Sequence, residues 1–288
     1  MDGCRHVTTP APLTLPAPAK VNLRLLVGPR RDDGYHPLRT LMVALDGPVD
    51  RVTVSRADAR RVTCPGIAGP ANLAWAALDA LQEEMDDALP PLAVDIEKVL
   101  PAQAGLGGGS SDAATTLVAA DRLLGLGLGA ERLERAAARV GSDVPFFIRG
   151  GAQWATGRGE ELQPATAPAF ECVLVAPVTG LSTAGVYAAF DALPAPPPDD
   201  HVPPPRDATG LDAWCRNDLW PAARSLQPSL DRLHHELRAA GAAPALLCGS
   251  GSAMCGVARD AGAADDLAAH MHRAAPHAVV LRARFPGA

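Results

Sequence analysis

The sequence predicts an α+β fold, in which strands and helices share the chain without alternating strictly. Three observations carry this. Residues 19–27 alternate polar and apolar side chains, the period of a strand. Residues 72–85 and 113–124 repeat apolar side chains at helical spacing. The strand and helix patterns then fall in uneven groups, whereas a doubly wound sheet would show them in regular succession. With 288 residues the chain can hold one large domain or two smaller ones, and its composition changes after about residue 160. Two domains are expected, over residues 1–160 and 161–288.

Taken in order, Met1 to Pro18 lacks a continuous apolar stretch and reads as a short disordered lead-in rather than a signal peptide. In the first strand Lys20, Asn22 and Arg24 fall on one face, and Val21, Leu23 and Leu25 on the other. Asp33 and Gly34 mark a turn, Leu38 to Leu45 a second strand, and Arg51 to Ser55 a third. Asn72 is a good N-cap for a helix through about Met85, with Leu73, Ala77 and Leu81 on one stripe. Leu92, Val94 and Ile96 alternate with Asp95 and Glu97 as a further strand. The next helix places Ala113, Leu117, Ala120 and Leu124 on one face and ends at Gly125.

Residues 131–140 form a short helix closed by Gly141. Pro145 disfavours helix at Val144, so Asp143 is expected on a loop or at a sharp entry. Phe146 to Ile148 and Ala152 to Ala155 read as strand pieces, and Cys172 to Ala176 as a buried strand. The proline-rich residues 194–207 cannot form a core element and are expected as an exposed loop. Helices over 228–240 and 260–274 flank Cys248 to Val257, a glycine–serine turn leading into a strand, and Val279 to Arg284 is a final strand.

Composition narrows the function. The net charge of −6 and the lack of a basic patch argue against nucleic-acid binding. The apolar runs are shorter than a membrane span. Six cysteines are spread over the chain with no C-x-x-C pair, which argues against a zinc site or a disulfide framework and points to a reducing cytoplasm. His270 and His272, flanking Met271, read as a solvated helix face. Of 26 basic residues only Lys20 and Lys98 are lysine, so a lysine here marks a position that the broader arginine fork does not fill.

The chemistry concentrates at residues 100–114. Gly105, Gly107, Gly108 and Gly109 lie between a strand and a helix. A backbone without Cβ atoms can turn successive N–H groups inward, and the helix adds its unpaired N–H groups and positive dipole end. Such a loop binds a phosphate chain. No lysine follows the glycines, so it is not the P-loop pattern, and it lacks the third glycine of the dinucleotide fingerprint. The loop points to an enzyme that uses a nucleotide.

Several separated segments together resemble the GHMP small-molecule kinase superfamily. They are Pro18 to Leu23, Asp33 to His36, Pro101 to Ala114, Gly141 to Pro145, Ala155 to Glu160, Asn217–Asp218 and Gly249 to Ser252. The resemblance spans roughly residues 14–257 and is sharpest toward the branch that phosphorylates a cytidylated methylerythritol. It implies a two-domain α+β architecture, with a ribosomal-S5-like, ATP-binding N-terminal half and a ferredoxin-like, substrate-binding C-terminal half. It also implies transfer of the γ-phosphoryl of ATP, accompanied by Mg2+, to the 2-hydroxyl of the erythritol unit in the non-mevalonate isoprenoid route. The partner would be that small molecule, with neither nucleic acid nor membrane involved and the oligomeric state left open.

Carried over by position, the resemblance makes Lys20 and Asp143 the catalytic pair, with Asn22 beside them at the substrate. Pro101, Ala104, Gly105, Leu106, Gly107, Gly108, Gly109, Ser110 and Ser111 match the phosphate loop. Tyr35 and His36 match a cytosine-recognition segment, and Thr183 and Tyr187 fall in the matching substrate segment, with Tyr187 as a second aromatic against the base. Tyr35 and Tyr187 are the only tyrosines in the chain. His36 could read the base edge through its ring and its backbone.

Lys20 would neutralise developing charge, and Asp143 would either accept the hydroxyl proton or only orient the hydroxyl. No protein ligand to a metal is assigned; the ion would be held by phosphate oxygens and by Ser110 or Ser111. For Gly249 to Ser252 two readings stand, ligand contact and close strand packing. Rival functions are a superfamily kinase for mevalonate, homoserine or a sugar, and a nucleotide-binding protein without turnover. The Gly34–Tyr35–His36 segment argues against the first, and the presence of Lys20 and Asp143 against the second.

Overall fold

The computed structural model describes residues 10–199 and 201–287. The chain runs β1 (Leu13–Val27), β2 (Leu38–Arg56), β3 (Arg61–Thr63), α1 (Leu73–Glu83), β4 (Leu92–Glu97), α2 (Gly108–Leu124), α3 (Gly129–Val140), α4 (Val144–Arg149), β5 (Ala152–Thr156) and β6 (Glu161–Pro164). It continues through β7 (Phe170–Ala176), α5 (Thr183–Asp191), α6 (Leu211–Trp214), β8 (Arg216–Asn217), α7 (Trp220–Leu226), α8 (Ser229–Ala239), β9 (Ala245–Leu247), β10 (Met254–Ala258), α9 (Ala261–Ala274) and β11 (Val279–Phe285). The mixture of parallel and antiparallel pairing with unevenly distributed helices is the expected α+β class.

The chain forms two compact units that interleave along the sequence. The first comprises the residues through Ala17, Asp50–Lys98 and Gly109–Ile148; the second comprises Pro18–Val49, Val99–Gly108 and the residues from Arg149 onward. In the first unit the end of β2 pairs antiparallel with β4, from Arg51↔Glu97 to Arg56↔Leu92, and β3 pairs parallel with β4. Ala113, Leu117 and Ala120 of α2 join Leu78 and Leu81 of α1, and Val52, Val54, Val94 and Ile96 of the strands, in one core. The apolar stripes read from the sequence are therefore largely the buried faces, except that Leu73, at the start of α1, is exposed. Asn72 caps α1 by accepting the Ala74 N–H at 2.9 Å.

In the second unit β10 and β11 flank β7, both antiparallel to it, and β9 extends the sheet beyond β10. Cys172, Leu174 and Ala176 of β7 enter one core, and Val173 and Val175 another. Burial on both faces is why this strand reads as an unbroken apolar run. β5 pairs with the start of β2, and β8 lies parallel to β1 with Arg24 opposite Arg216.

Three local expectations are corrected. β1 begins at Leu13, so Leu13 to Pro18 is strand and not lead-in; the Thr14 and Thr53 hydroxyls are 2.8 Å apart, and Pro16 and Pro18 sit near a strand start, where a missing N–H is tolerated. The first nine residues of the expected lead-in lie outside the described residues. Arg51 to Ser55 is not a separate strand but the end of β2, which runs on through Gly47 at φ +140. A side chain there would come within 2.9 Å of the Arg282 carbonyl oxygen. Phe146 to Ile148 is helix α4 rather than strand, because Pro145 occupies its first turn, where no intrahelical N–H bond is lost.

Leu117 is fully buried in the middle of α2. Leu117→Ala should lower unfolding free energy by about 2–5 kcal/mol, read as a shifted urea midpoint. A loss below about 1 kcal/mol would mean that this face of α2 is not a packed core.

Candidate active site

The polar face of β1 is buried, not wet. Lys20, Asn22 and Arg24 are each at most 4% exposed. Lys20 Nζ donates to Asn22 Oδ1 at 2.7 Å, and Asn22 Nδ2 donates to Thr40 Oγ1 of β2 at 2.8 Å. The amide of Asn22 is thus oriented at both ends, its oxygen toward the ammonium. Further along, Arg24 donates to the Trp214 carbonyl oxygen at 2.6 Å, and its guanidinium lies 5.3 Å from the Trp214 ring centroid. Asp199, in the proline-rich loop, lies 3.9 Å from Arg24 and 2.6 Å from Arg39. The loop is therefore tied to β1 and β2.

The glycine-rich loop lies against the Cys248–Gly249 turn. Gly105 has φ +78, and a Cβ on it would come 1.9 Å from the Cys248 carbonyl oxygen. Around this contact Lys20 N–H donates to the Leu106 carbonyl at 2.9 Å, and Ala253 N–H donates to the Ala104 carbonyl at 3.0 Å. A Cβ on Gly249 (φ +54) would meet Lys20 Nζ at 3.2 Å and the Gly105 carbonyl at 3.2 Å. Of the two readings of Gly249 to Ser252, close packing is visible here. Asn217 Nδ2 donates to the Leu247 and Gly249 carbonyls at 2.9 and 2.8 Å, which clamps that turn. Pro101 to Gly107 form the loop itself, with Ala104 and Leu106 buried as its anchors, while Gly108 and Gly109 already belong to α2.

In the other unit, Ser110 and Ser111 occupy the first turn of α2. Ser110 is half-buried; Ser111 is fully buried and its Oγ has no hydrogen-bond partner. Ser110 is thus the hydroxyl accessible to a ligand. Asp143 is half-buried in the short turn between α3 and α4, which the Val144 N–H bond to the Gly141 carbonyl closes at 3.2 Å. Among the described residues no group of three or more His, Cys, Asp or Glu is placed to hold a metal ion.

The same unit contains a charge cluster that pattern reading did not find. Lys98 Nζ donates to Asp50 Oδ2 at 2.5 Å and to Asp112 Oδ2 at 2.7 Å. Asp50 and Asp112 are almost wholly buried. Burial works against the Lys98 charge, but the two carboxylates outweigh it and hold the ammonium protonated above its ordinary range. Burial pushes Asp112 up to about 6, against the attraction of Lys98, and the neighbouring Asp50 adds to the rise. The scarcity of lysine was the available signal for Lys98; nothing in local spacing pointed to Asp50 or Asp112.

His36 and Tyr187 pack together in the second unit, with Tyr35 next to His36 in the chain. Tyr35 is 53% exposed, and the Arg158 guanidinium covers one face of its ring at 3.9 Å from the centroid. The His36 ring is buried and packs against Tyr187 and Phe190, with centroids 5.5 and 5.6 Å away. Its Nδ1 lies 2.8 Å from the Gly28 carbonyl oxygen and its Nε2 3.0 Å from Asp191 Oδ1. Both ring nitrogens are engaged within the protein. Thr183 Oγ1 lies 3.0 Å from Ser250 Oγ.

A β1 lysine held by an amide, a glycine loop leading into a helix, and an aromatic corner define the class: an ATP-dependent small-molecule kinase. The model of the GHMP kinases N terminal domain matches residues 72–151, and that of the GHMP kinases C terminal matches residues 206–277. The chain is 39% identical over 283 residues to a 4-diphosphocytidyl-2-C-methyl-D-erythritol kinase of Moorella thermoacetica, covering 94% of this chain and 98% of that protein. It is 41% identical over 276 residues to one from Mycolicibacterium gilvum, covering 88% and 84%. A crystal structure of a 4-(cytidine 5'-diphospho)-2C-methyl-D-erythritol kinase superposes with a TM-score of 0.79 at 32% identity, covering 96% of this chain and all of that one. A homoserine kinase from Cytophaga hutchinsonii shares the fold alone, with a TM-score of 0.70 at 16% identity and coverage of 100% and 97%. The chain belongs to the 4-diphosphocytidyl-2-C-methyl-D-erythritol kinase family.

The charge cluster gives a pH prediction. A carboxyl raised from about 3.9 in the unfolded chain to about 6 in the folded one favours folding below the lower value, and that contribution is lost as pH rises through the higher. Asp112→Asn should therefore flatten the fall in stability between about pH 4 and 6, measured by urea unfolding across that range. An unchanged slope would show that Asp112 does not titrate there.

Proposed function

We infer that this chain transfers the γ-phosphoryl group of ATP to the 2-hydroxyl of 4-diphosphocytidyl-2-C-methyl-D-erythritol, a step toward isoprenoid precursors. The observation that carries the choice of acceptor is the corner formed by Tyr35, His36 and Tyr187. Acceptors such as mevalonate or homoserine carry no base to stack there, whereas a cytidine does. Stacking on an aromatic ring contributes roughly 1–3 kcal/mol per base in nucleic-acid systems. Tyr35 stacks the base on the face away from Arg158, Tyr187 provides the second ring, and the backbone at His36 reads the base edge.

Phosphoryl transfer demands positioning and charge stabilisation more than covalent help. The Pro101–Ser111 segment and the N-terminal end of α2 cradle the phosphates through backbone N–H groups. Lys20, the catalytic cation, is oriented by Asn22 and neutralises charge that builds on the transferred group. Asn22 and Thr183 contact the acceptor. Asp143 orients the hydroxyl and receives its proton late in the transfer. Mg2+ would arrive with ATP, held by phosphate oxygens and the accessible Ser110 hydroxyl, and when bound it offsets phosphate charge. Nucleotide binding is carried by residues 1–160, which also hold Asn22, Tyr35, His36 and Asp143 of the acceptor site, while residues 161–288 supply Thr183 and Tyr187. The buried free thiols Cys172, Cys248 and Cys255 suit work in a reducing cytoplasm.

The test is ATP consumption by purified protein with Mg2+, offered the cytidylated methylerythritol, mevalonate, homoserine and galactose in parallel. Turnover of the first alone is expected; turnover of another acceptor instead would refute the pocket assignment. Asp143→Ala should cut turnover by about 10²- to 10⁴-fold while ATP still binds, and near-normal turnover would remove Asp143 from catalysis. Tyr35→Ala should raise KM for the cytidylated acceptor by about tenfold or more and leave KM for ATP near its original value. An equal rise in both would count against stacking.

A further inference from the structure

The geometry points to Asp191 as the positioning residue of the base corner: it pins the Tyr35–His36 turn to α5 and so sets the spacing of Tyr35 and Tyr187 on which selection of a cytidylated acceptor depends. This rests on the acceptor proposed above. The turn is closed by bonds of its own. Gly28 N–H donates to the Pro37 carbonyl at 2.8 Å, Arg31 N–H to the Tyr35 carbonyl at 2.8 Å, and Tyr35 N–H to Asp33 Oδ1 at 3.0 Å. These bonds give the turn its shape. They do not register it against the helix that carries Tyr187.

Asp191 supplies that registration. It is the last residue of α5 and stands four positions after Tyr187, so the two side chains share a helix face. Its Oδ1 lies 3.0 Å from His36 Nε2, and its Oδ2 lies 3.6 Å from Arg30, at the other end of the turn. Arg30 in turn donates to the Gly34 carbonyl at 3.1 Å. The second His36 nitrogen faces the Gly28 carbonyl. The ring thus has a carbonyl on one nitrogen and a carboxylate on the other. Such a bond to a carboxylate is shorter and stronger than a neutral one. His36, immediately after Tyr35, is thereby held between the turn and α5, with Tyr187 and Phe190 packed on its ring. Removing the carboxylate leaves the turn folded but frees its tip to shift against Tyr187.

The assignment is tested by steady-state kinetics with both substrates and by calorimetric binding of cytidine 5'-diphosphate. In Asp191→Ala, KM for the cytidylated acceptor and the dissociation constant for cytidine 5'-diphosphate should rise about tenfold or more, with KM for ATP within about twofold. Asp191→Asn keeps an acceptor oxygen and the side-chain volume, so it should fall between wild type and alanine, and it carries the test where the alanine variant does not fold. A folded variant with an unchanged acceptor KM, or with equal rises in both KM values, would overturn the assignment. Wild-type protein that leaves the cytidylated acceptor unphosphorylated would instead overturn the functional reading on which it rests.

Discussion

The close approach of two backbone segments, the glycine-rich loop at Gly105 and the turn at Cys248–Gly249, is the constraint on which the rest of the second unit's chemistry depends. A single methyl group at Gly105 would overlap the Cys248 carbonyl at 1.9 Å. Because both segments lack side chains at the contact, the loop can lie beside β1, where the Lys20 N–H bonds to the Leu106 carbonyl. The space above Gly249 is then left to the Lys20 ammonium. The position of the lysine is thus set by glycine conformations at two distant points of the sequence, and its orientation by the Asn22–Thr40 pair.

Each unit holds a largely buried lysine. In the second, Lys20 donates to the amide oxygen of Asn22, which orients the ammonium. In the first, Lys98 is set between two carboxylates, one of them a turn into α2. A buried ion network adds little net stability, because desolvation offsets the attraction, but it is costly to break. It fixes the start of α2 to the strands behind it, and the backbone N–H groups at that helix start are those proposed to bind the phosphates.

Much of this was legible in the sequence where local physics decides. The stripes of α1 and α2 and the Asn72 cap follow from periodicity and side-chain chemistry, and the fold class follows from their arrangement. The glycine loop was legible because four glycines beside a helix start have few structural uses. Legibility failed where tertiary context overrides a local signal: Pro145 reads as a breaker but opens α4, and the two strands read over Leu38–Leu45 and Arg51–Ser55 are one strand that runs on through Gly47. It also failed for groups defined only by long-range contact. Asp50 and Asp112 meet at Lys98, and Asp191 meets His36, across stretches of sequence with no shared pattern. His36 was visible as a candidate, but that both of its ring nitrogens are engaged within the protein could be learned only from the fold.

The most direct test of the central constraint is Gly105→Ala, measured for stability and turnover on the same preparation beside Gly262→Ala, whose added methyl at the start of α9 meets only ordinary contacts. The account predicts that Gly105→Ala loses about 2–5 kcal/mol of stability and at least about 10²-fold in turnover, while Gly262→Ala loses neither. Wild-type turnover in Gly105→Ala would contradict it, because Lys20 would then be held in place without the close approach of the two segments.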